Sequence, residues 1–355
     1  MLTATQTLAL VNNALAQLPF DRKPEGLYAP VKYVLALGGK RIRPVLMLMA
    51  YELYRDDVES IMPAALGIEV YHNYTLLHDD VMDKAEIRRG KPTVHKVWDE
   101  NTAILSGDSM LVLAYQLMGK APDNCLRTVM NLFTETALEI GEGQQYDMEF
   151  ESRMDVSEAE YIEMIRLKTS VLLACALKLG AIQAGAPAAD AERLYRFGEN
   201  LGLAFQLQDD LLDVYGDPKT FGKNIGGDII EGKKTFMLIN ALRFASPEQR
   251  KALTAWLDTP VSPAGSLSAS SAASVSPSIA AGGQPGAGSV LGGSSAEKIA
   301  AVTALYNQIG VRQLAEQRIN SYFETAFKEL DAVELPAERK QPLRDFALSL
   351  LGRQS

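Results

Sequence analysis

Apolar residues recur at three- and four-residue spacing along almost the whole 355-residue chain, and sustained alternation is absent. A period near 3.6 places one stripe on one face of a helix, whereas a half-buried strand needs a period of two. Leu8, Val11, Leu15 and Leu18 form one such stripe, and Val31, Val34, Leu35 and Leu37 a second. Tyr161, Ile165, Lys168, Leu172, Cys175 and Leu179 run down a third, with a cation among apolar neighbours. Ser157 and Glu160 have the spacing of a capping box that opens this helix, and Pro63 sits where a first helical turn tolerates proline. The pattern predicts an all-α, single-domain bundle of about ten to twelve helices and no sheet.

One segment breaks the periodicity. Residues 259–295 contain no charge and are dominated by Ser, Ala, Gly and Pro. Such a composition cannot bury enough apolar area to offset chain entropy, which predicts a disordered insertion. Closing a long surface loop is cheap, about 0.6 kcal/mol for each doubling of length. The domain is therefore expected to comprise 1–258 and 296–355, with 259–295 as an insertion that has no catalytic role.

Composition sets limits on partners. Apolar residues make up 47% of the chain and charged residues 22%, with a net charge of −9. That balance argues against generic nucleic-acid binding, which needs a basic surface. Anionic ligands would require a local basic patch or bridging cations. The two cysteines, Cys125 and Cys175, lie in apolar helical stretches and are expected to be buried thiols rather than a disulfide framework. Residues 1–20 lack a basic start followed by an apolar core, and the apolar run 171–186 is interrupted by Lys178 and Gln183. A cytoplasmic protein with no stable membrane insertion is predicted.

The strongest chemical signal is Leu76-Leu77-His78-Asp79-Asp80-Val81-Met82-Asp83. Asp79 and Asp83 are four apart, so their carboxylates share a helical face, while Asp80 is turned by about 100° but can lean toward them. Two carboxylates about 4 Å apart at an effective dielectric of about 20 repel by about 4 kcal/mol. Hard divalent cations with oxygen ligands would relieve that repulsion. A solvated acidic helix end would explain this cluster equally well, were it alone. The pattern recurs, however, in Phe205-Gln206-Leu207-Gln208-Asp209-Asp210-Leu211-Leu212-Asp213. Two such clusters facing each other across a bundle would hold metal ions between them.

Basic residues accompany the acids. Gly38-Gly39-Lys40-Arg41-Ile42-Arg43-Pro44 puts three cations after a glycine pair and just before a helix, and Arg88-Arg89-Gly90-Lys91-Pro92 follows the first acidic cluster. Lys168 and Thr169 interrupt an apolar stripe; Lys223, Lys233 and Lys234 follow the second cluster. Guanidinium forks and ammonium point charges at such places suit phosphate oxygens. A solvated basic loop is the plain alternative for each, and the better one for Lys234 alone.

Taken in order, these motifs resemble the trans-isoprenyl diphosphate synthases, the polyprenyl synthetase family that includes farnesyl and geranylgeranyl diphosphate synthases. The resemblance rests on GGKRIRP at 38–44, LLHDDVMD at 76–83, RRGKPT at 88–93, GD at 107–108, GQQYD at 143–147, KT at 168–169, FQLQDDLLDVYGD at 205–217, GK at 222–223 and the Lys233 region. It implies an isoprenoid-synthase bundle around a central active-site cavity. It also implies condensation of isopentenyl diphosphate with an allylic diphosphate (dimethylallyl, geranyl or farnesyl) to a C15 to C20 product.

By that resemblance Lys40, Arg43, His72 and Arg89 hold isopentenyl diphosphate. Asp79, Asp83 and Asp209 ligate magnesium, three ions with substrate bound, supported by Asp80, Asp210 and Asp213. Arg88, Lys168, Thr169, Gln206, Lys223 and Lys233 contact the allylic diphosphate, and Asp79, Asp83, Lys168, Asp209 and Lys223 carry the catalysis. Tyr74, five residues before Asp79, and Thr75, one turn before it, are expected to set chain length, with bulky Tyr74 as a floor. There is no two-residue expansion between Asp80 and Asp83, unlike many bacterial farnesyl-type enzymes. A homodimer is also implied, with the apolar stretch from Leu111 to Leu117 as a possible interface.

Other readings are a longer-chain polyprenyl diphosphate synthase, a non-catalytic partner subunit, a terpene cyclase and a metal phosphohydrolase. A degenerate subunit would have lost an acidic cluster or its arginines, and a cyclase would replace the second Asp cluster. A hydrolase would need several histidine ligands, and His72, His78 and His95 do not obviously converge.

Overall fold

The apolar stripes become helices in the computed structural model of the chain, which describes residues 2–217, 225–259 and 294–351. The first stripe forms Ala4–Ala16, which buries Thr7, Val11 and Leu15 and opens with a capping box between Thr3 and Gln6. The second forms Glu25–Ala36, burying Val31, Val34 and Leu35. Pro63 falls in the first turn of Met62–Met82, where its missing N–H costs nothing. The all-α class is as expected.

Three details depart from the sequence expectation. First, helical segments outnumber ten to twelve, partly because Val94–Val97 and Gly227–Glu231 are too short to display a periodicity. Second, a minimal sheet exists: Ile87–Arg88 pairs antiparallel with Lys91–Pro92. Its two-residue turn has positive φ at both Arg89 (52°) and Gly90 (73°), the geometry that suits the twist of a hairpin. Strands two residues long leave no alternation to read. Third, the stripe through Lys168 is not one α-helix. Glu158–Ile165 passes through a π-helical turn, Arg166–Ser170, into Val171–Gln183.

The residues group into two compact units. One is drawn from Met1–Glu149, Ile162–Gln206 and Arg318–Ser355. Within it Met62–Met82 packs along Glu100–Met118, and Ile42–Glu52 along Val171–Gln183. Gly180 makes the second contact possible, since a Cβ there would lie 2.3 Å from the Met47 carbonyl oxygen. Val171–Gln183 is buried on nearly every side, and Leu172, Leu173, Leu177 and Leu179 each contribute about 1.5–3 kcal/mol of burial. Lys178 reaches out of this helix to Glu192 at 2.8 Å. Cys175 is buried, which pushes its thiol up to about 12 and leaves it unreactive, and Cys125 is free and half-buried.

The other unit is drawn from Phe150–Tyr161 and Leu207–Gln317. It contains Gly227–Glu231, Phe236–Phe244, Pro247–Leu257 and Ser295–Ile309. Capping boxes open the last two, Ser246 with Gln249 and Ser294 with Glu297. Ser294 and Ser295, which composition assigned to the uncharged insertion, are thus the cap and first residue of a helix. At its other end the Thr259 hydroxyl bonds back to the Ala255 carbonyl at 2.7 Å, and 260–293 lies outside the described residues. No helix among the described residues is long and apolar enough to cross a membrane.

Candidate active site

Asp79 and Asp80 lie in the last turn of Met62–Met82, and Asp83 is its C-terminal cap. This is the negative end of the helix dipole, where carboxylates are disfavoured and cations favoured. Burial raises the Asp79 carboxyl above its ordinary value; Lys168 and Arg88 pull it back, and the carboxylates of Asp83 and Asp147 push it up again. Neither Asp79 nor Asp83 has a hydrogen bond or ion pair from any described side chain. Asp80 differs from both. It is buried, and Arg88 clasps it, with Nε and Nη2 each 2.8 Å from its oxygens. The three acids therefore divide into an open pair and a neutralised one.

The glycine-rich segment also divides its cations. Arg41 is buried, donating to Glu69 at 2.7 Å and to the Leu35 carbonyl at 2.6 Å. Its φ of 47° places it in the left-handed region as the cap of Ile42–Glu52. Glu69 also accepts from Asn73 Nδ2 at 2.9 Å, which closes a buried polar cluster. Arg41 is thus an anchor, and Lys40 and Arg43 are the cations on either side of it. Arg43 Nη1 lies 3.0 Å from His72 Nε2. A guanidinium can only donate, so Nε2 is the bare nitrogen and the ring proton sits on Nδ1. Burial, reinforced by Arg43, Arg89, Arg88 and Arg41, holds His72 well below its ordinary value, so the ring is neutral. Arg89 lies over Gly39 and donates to the Gly38 carbonyl; a Cβ at Gly39 would be 2.9 Å from its guanidinium carbon. Lys40, Arg43, His72 and Arg89 are therefore neighbours along one stretch of structure.

Lys168 sits inside the π-turn, with Nζ 2.5 Å from Asp147 Oδ2 on the Leu126–Glu151 helix. Gly143 lets that helix approach, because a Cβ there would stand 2.4 Å from the Lys168 amide nitrogen. Thr169 Oγ1 donates to Gln206 Oε1 at 3.3 Å. Tyr74 packs tilted against Tyr71 (5.5 Å) and edge-on against His78 (4.8 Å), and Tyr71 meets Phe133 edge-on (5.2 Å). Thr75 turns its hydroxyl back to the His72 carbonyl at 2.8 Å.

In the second unit, Asp210 is buried and accepts from the Tyr161 hydroxyl. Asp213 Oδ2 accepts from the Asp228 amide at 3.1 Å, and its own carbonyl accepts from the Gly226 amide at 2.7 Å. Asp209 is half-buried on the same helix, Ala188–Tyr215. Lys233 is exposed, its amide donating to the Asp228 carbonyl at 2.9 Å, and Lys234 reaches the Glu151 carbonyl at 3.0 Å. Lys223 lies outside the described residues.

A family model described as Polyprenyl synthetase matches residues 24–269. The chain belongs to that family. A short chain isoprenyl diphosphate synthase of Methanocaldococcus jannaschii is 44% identical over 65% of this chain and 71% of its own length. A geranylgeranyl diphosphate synthase of Methanosarcina mazei is 42% identical over 65% and 72%. A crystal structure of a geranylgeranyl pyrophosphate synthase superposes with a TM-score of 0.84 at 41% identity, covering all of both chains. This polyprenyl synthetase is accordingly a prenyltransferase.

Divalent metal fits the residues present. Among the described residues no three His, Cys, Asp or Glu side chains are grouped to hold an ion by themselves. Magnesium, however, is commonly held by one or two carboxylates together with substrate phosphates rather than by an all-protein cage. Asp79 and Asp83 match that mode: hard oxygen donors at a helix C-terminus, Asp83 close enough to raise the Asp79 carboxyl, and neither bonded by a side chain among the described residues. The sequence reading missed Glu69, Asn73 and Asp147 in this synthetase. A lone Glu in the apolar 63–77 helix was a usable signal for the first. Asp147 stood inside the GQQYD motif, but nothing there pointed to Lys168.

Proposed function

We propose that the chain condenses isopentenyl diphosphate with an allylic diphosphate, giving a trans-polyprenyl diphosphate of C15 to C20 and releasing diphosphate. The observation that carries this reading is the Asp79–Asp83 pair, half-buried Asp79 and exposed Asp83, which no described side chain neutralises by hydrogen bond or ion pair, set in a polyprenyl synthetase whose Arg43–His72 and Asp80–Arg88 pairs lie in the same unit. Magnesium held by Asp79, Asp83 and Asp209, with Asp80, Asp210 and Asp213 in support, would neutralise the departing diphosphate. Lys168, Thr169, Arg88, Gln206, Lys223 and Lys233 bind the allylic diphosphate and stabilise charge as the carbon–oxygen bond breaks, its electron pair leaving with the diphosphate. Lys40, Arg43, His72 and Arg89 hold isopentenyl diphosphate so that its double bond attacks the allylic cation. The new carbon–carbon bond forms, and a proton passes to the released diphosphate.

Neutral His72 acts here as a hydrogen-bonding wall rather than a charge, with Arg43 supplying the cation. Asp80 orients Arg88, and Asp147 orients Lys168. Tyr74, held between Tyr71 and His78, is the proposed floor of the tail pocket, with Thr75 beside it. The geranylgeranyl names of several relatives favour the longer end of the product range. A relative from Natronomonas pharaonis, 40% identical and named geranylfarnesyl diphosphate synthase, keeps a longer-chain product as the second reading. We also assign a cytoplasmic homodimer. Leu105 and Val112, seven apart on Glu100–Met118, are 59% and 68% exposed, and Leu138 on the neighbouring Leu126–Glu151 helix is 65% exposed. Large aliphatics in water at this spacing suit a second copy better than solvent.

Incubation with magnesium, isopentenyl diphosphate and labelled allylic primers of different lengths tests the reaction. Linear C15 to C20 diphosphates are expected. Loss of primer without incorporation of isopentenyl diphosphate would overturn it.

A further inference from the structure

The helix Ser295–Ile309 lies beyond the part of the chain matched by the family model, and follows the uncharged insertion. It carries a lysine, Lys298, that is only 2% exposed. Burying an ammonium group is costly unless polar partners replace water. Its partners are two backbone carbonyls: Nζ lies 3.3 Å from that of Ile230 and 3.5 Å from that of Leu257. Both belong to helix C-terminal turns, those of Gly227–Glu231 and Pro247–Leu257, where unpaired carbonyls attract a cation. Burial lowers the Lys298 ammonium below its ordinary value.

The helix grips the same segment at further points. Ile299 presses on Gly226, where a Cβ would stand 2.6 Å from Ile299 Cγ1; the Gly226 φ of 83° also requires glycine. Asn307 Oδ1 accepts from the Tyr215 hydroxyl at 2.9 Å, and Tyr306 is buried within the electrostatic reach of Asp213 and Asp228. Gly226 and the helix after it, so held, bond to Asp213. The Gly226 amide binds the Asp213 carbonyl, and the Asp228 amide, in the first turn of Gly227–Glu231, binds its carboxylate.

We infer that Lys298 is a positioning residue: by fixing the C-terminal end of Gly227–Glu231 it sets the Asp228 amide that orients the Asp213 carboxylate for metal-diphosphate binding. The inference rests on the reading of Asp213 as part of that site. Lys298 acts through a five-residue helix whose first turn carries the Asp228 amide that meets Asp213. Lys298→Met keeps the apolar stem and removes the donor.

The test is a double-mutant cycle on magnesium-dependent binding of inorganic pyrophosphate to the full chain, measured by calorimetry without turnover, alongside thermal unfolding. Asp213→Asn and Lys298→Met are each expected to weaken binding about tenfold, as befits one lost charge-assisted hydrogen bond. The double variant is expected to be no weaker than Asp213→Asn alone, because the lysine acts only through that carboxylate. Additive losses, or unchanged binding in Lys298→Met with only a lower unfolding temperature, would overturn the positioning role while leaving the site intact. Unchanged binding in Asp213→Asn would instead sink the reading beneath it, and the inference with it. Should Lys298→Met not fold, Ile299→Ala, which withdraws the contact on Gly226, takes its place in the cycle with the same expectations.

Discussion

Lys168 Nζ lies 2.5 Å from Asp147 Oδ2, so a cation expected to meet substrate is already held from the neighbouring helix. The pair is partly exposed and near Asp79, whose carboxylate feels Lys168 more than any other cation. Asp147→Asn removes the charge that fixes the ammonium but keeps the shape. KM for the allylic diphosphate is expected to rise about tenfold, with a smaller change in kcat. Steady-state kinetics with primer varied at saturating isopentenyl diphosphate checks this, and an unchanged KM would remove Asp147 from the site.

Asp79→Asn should lower turnover by about a thousandfold or more, the scale of losing several kcal/mol of metal-assisted charge stabilisation. Stability should move the other way. Burial and Asp83 raise the folded carboxyl above the ordinary 3.8, so ionised Asp79 opposes folding in metal-free buffer. That opposition is absent below 3.8, grows as pH rises through the raised folded value, and is complete at neutrality. The variant should therefore unfold at a higher temperature than the parent at pH 7 and at an equal one at the acid end. Differential scanning calorimetry across that range decides it; an equal gap at both ends would count against the assignment.

His72 titrates with the opposite consequence. Its folded value lies well below 6.5, so the unfolded chain takes up a proton that the folded chain refuses. Stability from this group is complete above 6.5 and falls as pH drops below it, by up to about 1.4 kcal/mol per pH unit. His72→Asn is expected to flatten that part of the urea-unfolding profile between pH 6.5 and 5, and to weaken isopentenyl diphosphate binding. A parallel profile in the variant would show that the ring is not neutral.

Tyr74→Ala opens the space between Tyr71 and His78. Products longer than those of the parent are expected by chromatography, with a stability loss of about 3–5 kcal/mol, as for large aromatic truncations. The same product length from a folded variant would move the floor elsewhere.

Much of this arrangement was legible because it is local. The four-residue step from Asp79 to Asp83 and the stripes of Ala4–Ala16 and Glu25–Ala36 follow from helical geometry alone. What was not legible is pairing across distance. Asp80 read like its neighbours until Arg88 folded back over it through a two-residue ribbon. Arg41 read like Lys40 and Arg43, yet Glu69, a whole helix away in sequence, takes it into the core. Side-chain type states what a residue can bind, and only the fold decides which partner reaches it first.

The π-turn at Arg166–Ser170 amounts to one residue spliced into an otherwise regular helix. Every side chain after it is rotated by about 100° relative to those before it. Excising a single residue from 166–170 would heal the helix, yet it would force either Lys168 or the buried run 171–181 onto the wrong side. Length in this stretch is thus as tightly constrained as chemistry, and a one-residue deletion there should be less tolerated than most substitutions.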